Sequence, residues 1–134
     1  MPASELPIQQ RLTDLRNGLL HLHKTLLDSE RDRYEHDVQR IPTSGELLQL
    51  VLNDPFFLWL RELSQLIVLI DETIDAKEPP TVAEGERLIV QSQALLTPDE
   101  QGTGFAKSYF EILQRDPDAV LAHGKMRKVL AGVV

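Results

Sequence analysis

Ile8, Leu12, Leu15, Leu19, Leu22 and Leu26 recur at alternating steps of four and three residues. This is the period of a helix seam packed against other helices; on a strand the same residues would be scattered over both faces. The pattern predicts a first helix from Ser4 or Pro7 to near Gln39, a rod of ~48 Å at the usual helical rise. Such a rod needs partner helices along its length. Gly18, beside the seam, costs a helix ~1 kcal/mol relative to alanine, a loss that close approach of a second helix would justify.

The rest of the sequence is punctuated into further helices. Ile41-Pro42 ends the first, because proline pushes the preceding residue out of the helical region. Thr43-Ser44-Gly45-Glu46 and Thr81-Val82-Ala83-Glu84 read as capping boxes, in which the threonine hydroxyl and the glutamate each satisfy an orphan N–H. A short helix over residues 46–52 is interrupted at Asn53-Asp54-Pro55, where Asp54 is an N-cap and Pro55 the first helical residue. A very apolar central helix then covers residues 55–76, stopped by Glu78-Pro79-Pro80. After the second capping box, Val82, Leu88, Ile89, Leu95 and Leu96 mark one broad face. Thr97-Pro98-Asp99-Glu100 predicts one helical turn before the loop at Gly102 and Gly104. Phe105, Tyr109, Ile112 and Leu113 form a fifth apolar face, and Asp116-Pro117 caps a last helix to about Ala131. Lys125, Arg127 and Lys128 complement its dipole. An apolar run followed by Asp-Pro occurs at residues 47–55 and again at 109–117, which a helix, a break and a capped helix produce without duplication. Period-two alternation and Asn-Gly or Asp-Gly hairpin turns are lacking. The expectation is one all-α domain over residues 1–134, an up-and-down helical bundle of about four main helices, with short helices broken at Asp-Pro steps.

Composition narrows the function classes. The 134 residues are 42% apolar with 5% aromatics, so the core should be aliphatic. Without cysteine there is no disulfide framework, thiolate zinc site or cysteine nucleophile. Met1-Pro2-Ala3-Ser4-Glu5 lacks the basic and apolar regions of a secretory signal. The densest apolar stretch, residues 56–70, contains Arg61, Glu62, Ser64 and Gln65 and is shorter than the ~20 residues of a membrane span. A cytoplasmic protein is expected. Net charge is −7, and residues 44–104 hold eleven acidic against three basic side chains, a local −8. Phosphate backbones and anionic membrane surfaces would repel such a chain, so neither nucleic acid nor membrane is an expected partner.

On a helical wheel the first helix separates its polar residues. His21 falls opposite the leucine seam. His23, Glu30, Tyr34 and Asp37 fall close to the seam's centre, so the core-facing stripe turns ionisable after Leu26. Burying such groups unpaired costs several kcal/mol, so they require partners or water. Two readings follow. In one, the helix outruns the bundle and its last turns are wet, with Arg33 bridging Glu30 and Asp37 in a surface ladder. In the other, His23, Glu30 and Tyr34 line a polar pocket at the end of the bundle.

No metal or catalytic signature accompanies these residues. Glu-x-x-His and His-Glu-x-x-His spacings are absent, and the histidines are 21, 23, 36 and 123. Glu35-His36-Asp37 point in different directions on a helix and cannot chelate together. Serine-hydrolase, phosphate-loop and dinucleotide fingerprints are missing, and Gly102-Thr103-Gly104 lacks the strand such a loop follows. His123, near Val120, Met126 and Leu130 on an apolar face, reads as a satisfied core histidine. No catalytic residue, metal or cofactor is therefore assigned.

The central helix carries a seam of Phe56, Trp59, Leu63, Leu66 and Ile70, with Arg61, Gln65, Glu72 and Asp75 opposite and Ser64 and Asp71 at the edge of the apolar arc. If it runs antiparallel to the first helix, Arg11 or Arg16 comes near Asp71, and Arg61 near His21. The segments Ser44-Gly45-Glu46-Leu47-Leu48-Gln49-Leu50, Asp54-Pro55-Phe56-Phe57-Leu58-Trp59-Leu60-Arg61 and Ile67-Val68-Leu69-Ile70-Asp71-Glu72, with residues 26–35 and 105–130, resemble a family of small bacterial proteins. The resemblance implies a bacterial cytoplasmic helical protein and carries no activity, ligand or site residue.

Two functional expectations result. The first is a non-enzymatic bundle acting through protein–protein contacts or self-association, because leftover apolar surface on long helical seams commonly makes dimers. The alternative is a small-ligand or metal-binding bundle using His23, Glu30, Tyr34, Asp37 and Arg61, with Glu30 as the acid–base group and Arg61 as an anion contact.

Overall fold

The computed structural model describes residues 6–132. Seven helices follow one another among them: α1 (Ile8–Asp37), α2 (Ser44–Asn53), α3 (Pro55–Leu58), α4 (Arg61–Asp75), α5 (Val82–Leu95), α6 (Gly104–Arg115) and α7 (Pro117–Leu130). No strand occurs among the described residues. The fold is an all-α helical bundle. A start of the first helix at Ser4 lies outside the described residues; the helix begins at Ile8, after Pro7.

The leucine seam is the axis of the molecule. Leu12, Leu15, Leu19, Leu22 and Leu26 are all at most 1% exposed. α7 is the most extensive neighbour of α1, followed by α4 and α5. Both α4 and α7 run antiparallel to α1. Arg16 pairs with Asp71 at 2.9 Å and His23 meets Ser64 at 2.9 Å, so numbers rise on one helix as they fall on the other. Likewise Arg11 donates to the Leu130 carbonyl at 2.9 Å while Gly18 lies against Met126. The Arg16–Asp71 pair also brings a cation to the acidic C-terminal end of α4, where carboxylates oppose the helix dipole.

The helix starts form as their cap residues dictate. Thr43 accepts from the Glu46 N–H and Thr81 from the Glu84 N–H, each at 3.1 Å. Asp54 accepts from Phe56 N–H at 2.8 Å and Asp116 from Asp118 N–H at 2.9 Å, each followed by proline in the first turn. Past the end of α1, Glu35 accepts from the Ile41 N–H at 3.1 Å and Arg31 reaches the Ile41 carbonyl at 3.4 Å, which pins the residue before Pro42.

Two local expectations are corrected. The central helix over residues 55–76 is not continuous: it breaks at Trp59 and Leu60, between α3 and α4. The Leu60 N–H turns back to the Phe57 carbonyl at 3.1 Å, a tight three-residue turn. The break lets Phe57 fill a small cluster with Tyr34 and Ile41 while Leu60 fills the main core. Residues 97–100 form no helical turn. There Asp99 organises a tight turn, accepting from the Gln101 N–H with its side chain and the Gly102 N–H with its carbonyl.

Two helix glycines have opposite surroundings. A Cβ on Gly85 would lie 2.1 Å from Cγ1 of Ile8, near the branch point of a stiff side chain, whereas a Cβ on Gly124 would meet nothing within 4 Å. Gly85→Ala should therefore destabilise the fold by about 1–3 kcal/mol through overpacking, despite its better helix propensity. Gly124→Ala should stabilise it by about 0.5–1 kcal/mol. Urea unfolding of both variants checks the pair, and equal signs would contradict this account of the α1–α5 contact.

Candidate functional site

The stripe that turns polar after Leu26 ends on a buried carboxylate. Glu30 is 1% exposed, and both of its oxygens are occupied. Arg33, one turn further along α1, grips it with both arms of its guanidinium: Nε donates to Oε1 at 3.3 Å and an Nη to Oε2 at 3.0 Å. Trp59, set by the break between α3 and α4, donates its indole N–H to Oε2 at 3.2 Å. Arg115, in the last turn of α6, donates to Oε1. Four donors from three parts of the chain thus satisfy one anion, which is the condition under which a buried charge is tolerated.

Both guanidiniums also reach outward, Arg33 and Arg115 having about two-fifths of their side chains exposed. The hydrogen bond it donates to Glu30 raises the Arg33 pKa above its ordinary value, against partial burial, and the charges of Glu30, Asp37 and Glu111 add to the rise. The Arg33 guanidinium lies 3.9 Å from the centre of the Phe56 ring, a cation–π contact. Phe56 packs edge-on against Tyr34 at 5.1 Å, and Phe57 lies beside both. On the other side of Glu30, Trp59 stacks near Phe105, Phe105 near Tyr109 and Tyr109 near His123, each at 5.3 Å. Every aromatic residue of the chain except Phe110 belongs to one of these two groups. The carboxylate sits where they meet.

The other sequence candidates are dispersed. Tyr34 is 5% exposed, inside the cluster with Ile41 and Phe57. Asp37 is exposed and pairs with His36 at 2.8 Å. Arg61 is exposed and donates to the Leu52 carbonyl at 3.1 Å; it bridges α4 to the end of α2. His23, half-buried, meets Ser64, whose hydroxyl donates to the Leu60 carbonyl, so the imidazole Nε2–H is the donor to Ser64. Cavities of about 660, 530 and 350 Å³ are lined by residues other than Glu30, Tyr34, Asp37 and Arg61. Among the described residues, no group of three or more His, Asp or Glu side chains is arranged to hold a metal ion. No helix among them is long and apolar enough to cross a membrane.

Sequence reasoning gave Glu30 local partners and missed Arg115, whose terminal position in α6 carried no periodic signal. A second polar pair is hidden in the same way. The Tyr109 hydroxyl, on a residue with no exposed surface, lies 2.6 Å from Nδ1 of His123. Burial drives the Tyr109 pKa far up, so the phenol keeps its proton, and burial with the nearby Arg127 charge lowers that of His123. Compared with family models, curated proteins and solved structures, the chain matches none.

Removing one member of a buried ionic group costs about 3–5 kcal/mol. Glu30→Ala should fall near 3 kcal/mol, because Arg33 and Arg115 can turn to water. Urea unfolding followed by circular dichroism measures it, and a loss below about 1 kcal/mol would place Glu30 among ordinary surface pairs.

The His23 pKa is lowered from 6.5 by desolvation. The unfolded chain therefore binds its proton first as pH falls. The contribution of neutral His23 is intact above about 6.5 and is lost as pH drops through the lower folded value. Urea midpoints should fall between about pH 7 and 5, and fall less in His23→Gln. Identical pH slopes for the two proteins would contradict the burial argument.

Proposed function

We propose that this chain is a non-enzymatic, cytoplasmic helical-bundle protein that works by binding another protein through α2. The observation that carries the reading is that α2 has five apolar residues among its ten and buries none of them. Leu47, Leu50 and Val51 pack, partly covered, on the Tyr34–Ile41–Phe57 cluster. Leu48 and Leu52 are one turn apart and stay 55% and 51% exposed, forming an outward apolar stripe. A helix already folded and capped at Thr43 costs little ordering entropy on binding.

Charge favours one kind of occupant. α2 carries one charged residue, Glu46, and no lysine or arginine, in a chain of net charge −7, which favours an amphipathic helix with lysine or arginine beside its apolar face. A second copy of this chain would bring the same acidic residues, so self-association through α2 is disfavoured. The interior is consistent with this role. Glu30 has both oxygens engaged, His23 is held by Ser64 and His123 by Tyr109, so the candidate acid–base groups already serve the fold.

Leu48→Glu with Leu52→Glu tests the reading, with Val120→Glu and Leu121→Glu on α7 as the matched exposed control. Partners recovered by affinity capture and identified by mass spectrometry should be lost with the α2 pair and kept with the α7 pair. The change in stability should stay within about 0.5 kcal/mol per surface site. Unchanged capture by the α2 variant would overturn the proposal. A dimer in light scattering that this variant abolishes would replace the foreign helix with a second copy.

A further inference from the structure

Between the C-terminal part of α5 and α7 lies a cavity of about 350 Å³, unrelated to α2 and to Glu30. Its volume falls at the small end of the range typical of small-molecule sites. Leu96, Met126 and Leu130, all nearly inaccessible, contribute an apolar lining, and Pro98 adds to it. Gln93 and Thr97 contribute neutral polar groups, and the two lining side chains able to carry positive charge are His123 and Arg127, four residues apart and so on one face of α7.

The hydrogen bonding fixes what these groups offer. Among the described residues the buried Tyr109 hydroxyl meets one acceptor, His123 Nδ1 at 2.6 Å, and because leaving a buried O–H unpaired is costly it donates there. Nδ1 therefore accepts, and the imidazole carries its own proton on Nε2. That N–H has no protein acceptor among the described residues, on a ring that lines the cavity. Arg127, exposed, has no carboxylate partner among the described residues. No aspartate or glutamate lines the cavity.

Among the described residues no carbonyl at the nearby helix ends accepts from His123 or from the Arg127 side chain. The carbonyls of Ser92 and Ala94 at the end of α5 receive the N–H groups of Leu96 and Thr97. Those of Arg127 and Val129 in α7 receive Ala131 and Gly132, and Leu130 accepts from Arg11. Two donors, one of them cationic, thus stand beside an apolar lining without an anion.

We propose that this cavity binds a small molecule joining an apolar body to a carboxylate, with the carboxylate on Arg127 and the Nε2–H of His123 and the apolar body against Leu96, Met126 and Leu130. The three-part arrangement recognises an anionic head on a hydrocarbon and disfavours a cationic one, because Arg127 repels an ammonium and no lining side chain carries a negative charge to offset it.

Titration calorimetry with octanoate, octanol and octylamine holds the apolar body constant and varies the head. Octanoate should bind saturably, octanol more weakly and octylamine most weakly of the three. Arg127→Gln, at an exposed position, should weaken octanoate about tenfold, the value of one charge-assisted hydrogen bond. In ¹⁵N-labelled protein, octanoate should shift the amide signals of Leu96, His123 and Leu130. Octylamine binding as tightly as octanoate, Arg127→Gln binding unchanged, or no saturation by about 10 mM would overturn the site. The Leu48→Glu/Leu52→Glu protein should bind octanoate as the natural chain does, which separates this site from the α2 contact.

Discussion

The fold is organised around one anion that water cannot reach. A bundle closed by leucines alone would tolerate sliding, because aliphatic contacts have no direction. The Glu30 carboxylate has direction. It must receive donors at particular angles, and they come from its own helix, from the α3–α4 junction and from the end of α6. A shift of α6 by one residue would withdraw Arg115 and leave a buried charge short of partners. The leucines supply most of the attraction; the carboxylate selects the register.

The same anion explains where the aromatic residues are. A chain with 5% aromatics could scatter them, yet all but one fall into two contact groups joined at the Glu30 donors. Arg33 covers Phe56 on one side, and Trp59 covers Phe105 on the other. Flat rings beside the ionic group exclude water without adding unsatisfied polar atoms, which strengthens its hydrogen bonds. The tight turn at residues 59 and 60 delivers the indole to the carboxylate.

What the sequence made legible was local. The seam of α1, the threonine and aspartate caps and the antiparallel approach of Arg16 to Asp71 follow from spacing and from hydrogen-bonding groups within one turn of each other. The break at Trp59 and Leu60 was hidden because neither residue disrupts a helix by itself; tertiary demand from two separate clusters overrides propensity there. Glu30 was legible as a misplaced polar residue, but its partner Arg115 is 85 positions away and nothing in a helical wheel of α1 points to it. His123 was readable as satisfied, and the donor that satisfies it was not, since Tyr109 lies across the Asp116-Pro117 step on another helix. The Leu48 and Leu52 stripe looked like ordinary amphipathic patterning until the neighbours of α2 were known.

The antiparallel pairing of α1 with α7 has a consequence for how the chain is born. Of the seven helices α1 is synthesised before the others, and its most extensive cover, α7, after them. Until α7 is made, α1 is a long apolar ribbon without its main partner. Compaction of this bundle thus waits largely on the synthesis of α7. Before then the ribbon is a natural substrate for chaperones that bind exposed hydrophobic segments.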